Sequence, residues 1–353
     1  MRIVVFCPNP IGDTVMATPT LRALRRGFPG ATIDLVMRPN TAPTLDGAPW
    51  FDDRILFAPK AKDVRQRTLA VLRRLRAGRY DLAVLLSNSI RTALMAWLAG
   101  IPRRIGYDRR GRGLLLSDRL SPPGVGRGRL LPTPAVDYFL ALARRLGCRI
   151  DSVRTELFTT ADDERAADRA FARLGLPGGR SVICLNTGGA FGPAKSWPPE
   201  SFATLARRLA DEREAHILVV CGPAERDAAR EIVARAAHPR VVSLADEPLS
   251  IGLTKASLRR SALLVTTDSG PRHFATAFGV PVVSLFGPTH IAWTRTYHPH
   301  AINLQQPVPC GPCQQGTCPL KHHRCMRELD PQTVYTAVER LLGRPSHGAF
   351  RAP

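Results

Sequence analysis

The chain has 353 residues, enough for two domains that each bury a core of their own. Its hydrophobic fraction of 44% and charged fraction of 22% lie near the globular norm, which excludes disorder, collagen-like repeats or a disulfide miniprotein for the chain as a whole. Charge is the departure: 50 Lys and Arg against 29 Asp and Glu give +21. No stretch approaches the ~18 uninterrupted apolar residues of a membrane-spanning helix, and the opening MRIVVFCPNP is too short for a secretory signal and reads as a strand. A cytoplasmic protein is expected.

The charge is uneven. Residues 1–176 carry +14 and residues 177–353 carry +7, and eight Arg fall between Arg103 and Arg129 against Asp108 and Asp118. Paired guanidinium donors suit anionic partners such as nucleic acid, phosphorylated lipid or a membrane surface. A solvated arginine-rich surface gives the same composition. Nucleic acid is disfavoured, because aromatics are only 6% and the 103–129 run holds one, Tyr107, for base stacking.

In chain order, the short apolar runs at 2–6, 32–37, 54–57 and 81–86 predict strands, with helical spacing between them in LRALRRGF, in the segment beginning VRQRTLAVL, and at 90–99. A further helix is predicted at 135–147. Thr160 and Asp163 have the spacing of a capping box, opening a helix toward Leu174 before Gly175, Pro177, Gly178 and Gly179 break the chain. The second half repeats the scheme, with strands at 181–186, 216–221, 240–244, 262–267 and 281–286 and helices near 200–213, 224–237, 251–260, 271–278 and 332–342. Strand–helix alternation predicts an α/β protein of two doubly wound parallel-sheet, Rossmann-like domains facing a cleft. The expected boundaries are 1–160, a linker region at 161–180, a second domain at 181–330, a closing helix at 331–343 and a frayed tail at 344–353.

Chemistry-bearing residues collect after strands. The first strand runs into Ile11-Gly12-Asp13, with Asp13 either a helix cap or a carboxylate aimed into the cleft. The 181–186 strand is followed by Thr187, Gly188 and Gly189, then Lys195: backbone N–H groups and a point charge suited to an anion, without nucleotide-triphosphate loop spacing. Glu225 follows the 216–221 strand, as a ribose acceptor or a cap. Asp268-Ser269-Gly270-Pro271-Arg272-His273 follows the 262–267 strand and opens a helix, a start suited to a diphosphate.

Ile11-Gly12-Asp13, the 188–198 stretch ending in Lys195-Ser196-Trp197-Pro198, GPAE at 222–225 and DSGPRHFA at 268–275 together resemble glycosyltransferase family 9, the heptosyltransferases of lipopolysaccharide core assembly, over nearly the whole chain. The resemblance implies a GT-B fold, ADP-heptose as donor and a Kdo/heptosyl lipid A acceptor. It places the acceptor in the N-terminal domain and the nucleotide sugar in the C-terminal one. It implies Asp13 as catalytic base and Lys195 on the diphosphate. Donor contacts are implied at Thr187, Gly188, Gly189, Glu225, Leu249 (flanking adenine), Asp268, Ser269, Gly270 and His273. With the basic excess it points to Lys60, Lys62, Arg103, Arg104 and Arg109 for the acceptor, with peripheral contact at the inner face of the inner membrane. An inverting transfer needing no cofactor or metal is expected, since diphosphate leaves unprotonated and no DxD motif stands at a suitable strand end. A different nucleotide-sugar enzyme of the same fold, such as an epimerase, is the alternative.

Four cysteines, Cys310, Cys313, Cys318 and Cys325, form C-x2-C-x4-C-x6-C around His322 and His323. A structural metal, unligated thiols or redox chemistry are all open from that spacing.

Overall fold

The structure, a computed structural model, describes residues 1–123, 125–126, 129–130, 132–178, 181–189 and 191–343. The 344–353 tail, with Gly179 and Ala190, lies outside the described residues. The chain divides into two compact units, Met1–Phe158 with Ala292–Tyr297, and Thr159–Ile291 with the residues from His298 onward. No described helix is long and apolar enough to cross a membrane.

The first unit contains β1 (Arg2–Phe6), α1 (Ile11–Met16), α2 (Thr18–Gly27), β2 (Thr32–Met37), β3 (Asp53–Leu56), α3 (Thr68–Ala77), β4 (Leu82–Leu85), α4 (Ile90–Leu98), β5 (Arg103–Tyr107), β6 (Asp118–Leu120), a short antiparallel pair β7 (Val125–Gly126) and β8 (Arg129–Leu130), and α5 (Ala135–Arg145). Its six-stranded parallel sheet runs β3-β2-β1-β4-β5-β6, with Val5 beside both Leu35 and Val84. The central strands are apolar without alternation because they are covered on both faces. One face packs Val4, Phe6 and Leu85 against Val71 and Leu75 of α3 and Ala93, Met95 and Ala96 of α4.

Sequence reasoning missed β5 and β6. The basic pair that opens β5 masks its apolar continuation; Arg103 and Arg104 are the first two residues of a strand, opposite Leu82 and Ala83.

The second unit contains α6 (Ala161–Arg173), β9 (Val182–Asn186), α7 (Pro199–Glu212), β10 (His216–Val220), α8 (Arg226–Ala236), β11 (Val241–Ser243), α9 (Ile251–Arg259), β12 (Leu263–Thr267), α10 (Gly270–Ala277), β13 (Val282–Phe286), β14 (Ala301–Gln305), α11 (Arg324–Arg327) and α12 (Pro331–Leu342). Its parallel sheet runs β11-β10-β9-β12-β13-β14, with Leu185 beside Val219 and Val265. The capping box forms: Thr160 Oγ1 accepts from the Asp163 N–H at 3.2 Å, and Asp163 Oδ2 accepts from the Thr160 N–H at 3.0 Å. The helix it opens is no linker. α6 buries Ala167, Ala170 and Phe171, and its Glu164 and Asp168 pair with Arg259 and Arg260 at the end of α9, which makes it part of the second unit. α12 adds Val334, Tyr335 and Val338 to the core of that unit.

Both sheets reverse strand order at their centre, between β1 and β4 and between β9 and β12. In open α/β sheets, ligands bind beyond the carboxyl ends of the strands at this switch point.

Candidate active site

In the second unit, the switch point brings Asn186-Thr187-Gly188-Gly189 beside Asp268-Ser269. Asn186 Nδ2 lies 2.9 Å from Ser269 Oγ, 3.0 Å from Thr266 Oγ1 and 3.1 Å from the Gly188 carbonyl. Thr267 Oγ1 donates to the same carbonyl at 3.2 Å. These bonds fix the glycine loop over the start of α10. Gly189 is needed for the fit, since a Cβ there would lie 3.2 Å from Ser269 Cβ. Ser269 is the residue preceding α10, but its hydroxyl serves Asn186 and Thr266 and does not cap the helix. The first-turn amides of α10 therefore lack a side-chain acceptor, the arrangement that receives an anion. Pro271 is the second helical residue, not the first as predicted.

Lys195 closes the site from a single turn of 3-10 helix, Pro193–Lys195. It is buried, and its Nζ donates to Asp268 Oδ2 at 2.7 Å and to the Asp268 carbonyl at 2.8 Å, 4.5 Å from the centre of the Phe191 ring. Asp268 Oδ2 also accepts from Thr289 Oγ1 at 2.8 Å, while Oδ1 faces Arg272 Nη1 at 3.5 Å. Burial works against the Asp268 charge, but Lys195 and Arg272 outweigh it and hold the carboxyl below its usual range. Arg272, which no motif spacing marks, is fully buried; its Nε donates to Ser284 Oγ at 3.0 Å and its Nη2 to Asn303 Oδ1 at 3.2 Å. Two cations around one carboxylate leave a net positive charge in a water-poor site.

His273 is buried, and burial, then Arg272, drive its pKa down to about 3. It is a neutral imidazole at physiological pH. Its Nδ1 and Thr187 Oγ1 are buried without a hydrogen-bond partner in the protein. Unpaired buried polar atoms are costly, and two of them in one site are natural positions for a ligand's donors and acceptors.

Glu225 lies across the glycine loop. Its Oε2 accepts from the Gly222 N–H at 2.7 Å, so the capping alternative is the bond seen, and its side chain fills the space a Gly188 Cβ would need. Leu249 is half-buried against the second-unit core.

In the first unit, Asp13 is the third residue of α1, partly exposed, with Pro10 in the capping position. It is thus not the helix cap. Nearby strand ends form a pocket lined by Cys7, Asn9, Arg38, Ser87, Ser89 and Arg91. Of the residues expected to meet an acceptor, Lys60 and Lys62 follow β3 and Arg109 follows β5, all on the carboxyl side. Arg103 and Arg104 stand at the amino end of β5, the wrong edge of the sheet for a ligand. Arg104 is structural: its guanidinium donates to the carbonyls of Leu115, Ile101 and Pro102. Arg103 pairs with Asp118 at 3.3 Å. Arg112 is fully buried, donating to the carbonyls of Tyr107 and Ser87. The pattern of charges does not single out the pocket-lining Arg38 and Arg91, because each stands apart from the dense arginine runs.

The four clustered cysteines and His322 line one small cavity, with Cys310 Sγ 3.8 Å from His322 Nε2. Among the described residues, no three His, Cys, Asp or Glu side chains are arranged to hold a metal.

Two six-stranded parallel sheets of Rossmann order, one ending in a cationic cluster beside an uncapped helix start, are the architecture of GT-B glycosyltransferases. The model of glycosyltransferase family 9 (heptosyltransferase) matches residues 68–324, and the chain belongs to this family. It is 28% identical to lipopolysaccharide heptosyltransferase 2 of Escherichia coli K12 over 355 residues, covering 97% of this chain and 99% of that one. A lipooligosaccharide heptosyltransferase 2 of Campylobacter jejuni aligns at 32% identity over 169 residues, 47% of this chain and 53% of its own. The solved structure of E. coli ADP-heptose LPS heptosyltransferase II superposes with a TM-score of 0.77 at 26% identity, covering 97% of this chain and 98% of that one.

Proposed function

We propose that this glycosyltransferase moves heptose from ADP-heptose to the Kdo/heptosyl inner core of a lipid A-linked acceptor, with inversion and without a metal. The observation that carries the reading is the Lys195–Asp268–Arg272 cluster beside the uncapped start of α10, in a chain of the heptosyltransferase family. A nucleoside diphosphate supplies the anion such a site is built to receive. In this reading Lys195 and the α10 amides hold the diphosphate, Thr187 Oγ1 and His273 Nδ1 find their missing partners on the donor, Glu225 takes the ribose and Leu249 lies against adenine.

The first unit then holds the acceptor, with Arg38 and Arg91 beside Lys60, Lys62 and Arg109 as its anion-binding groups. Asp13 takes the proton of the acceptor hydroxyl as that oxygen bonds to the anomeric carbon and the bond to the diphosphate breaks; ADP departs as an anion. A single displacement of this kind inverts the anomeric centre. Metal independence fits the engagement of both carboxylates at these strand ends: Asp268 is held by Lys195, Thr289 and Arg272, and Glu225 by the Gly222 amide. An acceptor anchored in lipid puts the enzyme at the membrane surface.

The test is ADP release and product mass with ADP-heptose and an inner-core lipid A acceptor, with and without EDTA, with NMR of the new anomeric centre. Turnover confined to UDP- or GDP-sugars would assign a different transferase, and loss of activity in EDTA would remove metal independence.

A further inference from the structure

Helix α4 departs from the usual make-up of a surface helix. Its nine residues, IRTALMAWL, include one charge, Arg91. Thr92, Ala93, Met95 and Ala96 are buried, yet the outer stripe is also apolar: Ile90, Leu94, Trp97 and Leu98 are 48%, 39%, 51% and 37% exposed. Those positions repeat at i, i+4, i+7 and i+8, one face of a helix. Neighbours widen the stripe. Leu69 on α3 is 69% exposed and Leu114, in the 3-10 turn Arg112–Leu115, is 88% exposed; both elements pack beside α4. Six large apolar side chains thus meet water on adjoining elements, where isolated ones would be ordinary.

The surroundings are cationic. Residues 57–117 contain fourteen Lys and Arg against three Asp and Glu, which is +11 of the chain's +21. Arg73, Arg76, Arg91 and Arg110 are exposed on or next to the elements that carry the stripe. A second copy of the chain would set the exposed Arg73, Arg76, Arg91 and Arg110 against their own counterparts across this face, so self-association is opposed. An anionic bilayer matches both features: apolar side chains enter the acyl boundary, an indole rests at the interface, and guanidinium groups meet lipid phosphates.

We propose that α4, with Leu69 and Leu114, docks the protein on an anionic membrane leaflet. Arg91 belongs to both features, lining the first-unit pocket at the start of α4. Docking there sets that pocket at the lipid surface, where a lipid-anchored sugar emerges. This last consequence rests on the transferase reading; docking itself does not, and it is measured without acceptor.

The full chain is sedimented with vesicles of phosphatidylglycerol and phosphatidylcholine, or of phosphatidylcholine alone. Binding is expected to the anionic vesicles, falling with salt, with a blue shift of Trp97 fluorescence that Trp97→Phe removes. Leu94→Glu/Trp97→Glu should weaken vesicle binding at least tenfold while circular dichroism, thermal unfolding and ADP affinity stay unchanged. Leu69→Glu, on a different helix, provides a second probe if that double variant folds poorly. Wild-type vesicle binding by both variants overturns the proposal. So does a lipid-free dimer that the substitutions dissociate, which would make the face a self-interface. Failure of docking leaves transfer to a soluble, delipidated acceptor intact; failure of the transferase reading leaves vesicle binding intact.

Discussion

Replacing Lys195 by Met separates two roles that its position combines. The ammonium is 2.7 Å from a buried Asp268 oxygen, so its loss strips that carboxylate of its nearest counterion. Breaking a buried pair costs roughly 3–5 kcal/mol. Arg272 at 3.5 Å and the Thr289 hydroxyl at 2.8 Å remain, which puts the loss of stability at the lower end, about 3 kcal/mol. The second effect falls on the ligand. The cluster drops from net +1 to neutral, and a diphosphate loses a charged donor worth about 2–3 kcal/mol, or roughly 30- to 150-fold in ADP affinity. Urea unfolding measures the first and calorimetric ADP titration the second.

The double variant Lys195→Met/Asp268→Asn distinguishes a positioned charge from a diffuse field. It removes both members of the pair, so most of the lost stability should return. It also restores the net +1, now on Arg272 alone. That guanidinium is fully buried and held by Ser284 and Asn303, out of position to replace the ammonium, so ADP binding should remain weak. Full recovery of ADP affinity in the double variant would show that net charge suffices. ADP affinity unchanged in the single variant, alongside a loss of stability, would make Lys195 a structural counterion and remove it from the donor site.

Asp13→Asn should lower kcat by about 10²- to 10⁴-fold and leave ADP affinity unchanged, and turnover within tenfold of wild type would exclude Asp13 as the base. His273 has a folded pKa of about 3, so the unfolded chain takes up its proton first as pH falls below the ordinary histidine value near 6.5. Stability from this group is complete above that value and is lost toward pH 3; between pH 7.5 and 5 the wild type should lose about 2 kcal/mol more than His273→Gln, and equal losses in urea unfolding would refute the burial argument. Arg91→Ala should raise acceptor KM and leave donor KM alone. Arg104→Ala should instead cost about 1–3 kcal/mol of stability through its carbonyl partners, with acceptor KM unchanged; the reverse pattern would return Arg104 to the acceptor site.

The parts of this molecule legible in its sequence share one property: each is local. Uninterrupted apolar runs such as VICLN are what strands covered on both faces require, and Thr160 with Asp163 makes a capping box across three residues. β5 and β14 escaped because their support is lateral. RRIGY is a strand through pairing with β4, despite two leading charges, and AINLQ through its place at the edge beside β13. Asn186 was missed for the same reason. Nothing near it marks it, and its three polar neighbours come from its own loop and from Thr266 and Ser269, some eighty residues away.

Arginine shows why charge counts alone misplace a binding site. Arg103, Arg104 and Arg112 belong to the same dense run as Arg109 and Arg110, yet they do different work. Arg112 is wholly buried among carbonyls, Arg104 braces the turn before its own strand, and Arg103 pairs with an aspartate. What separates them is the side of the sheet they reach. A parallel strand has a supporting amino end and a ligand-facing carboxyl end, so a guanidinium at position 103 and one at position 109 stand at opposite edges although six residues apart. The same logic makes Arg272 the more instructive case: inside the second unit, with no exposed surface to speak of, it sustains the ionised Asp268 against burial and so keeps Lys195 fixed at the start of α10. Its contribution is read from the depth of the residue and the direction of its donors, neither of which composition records.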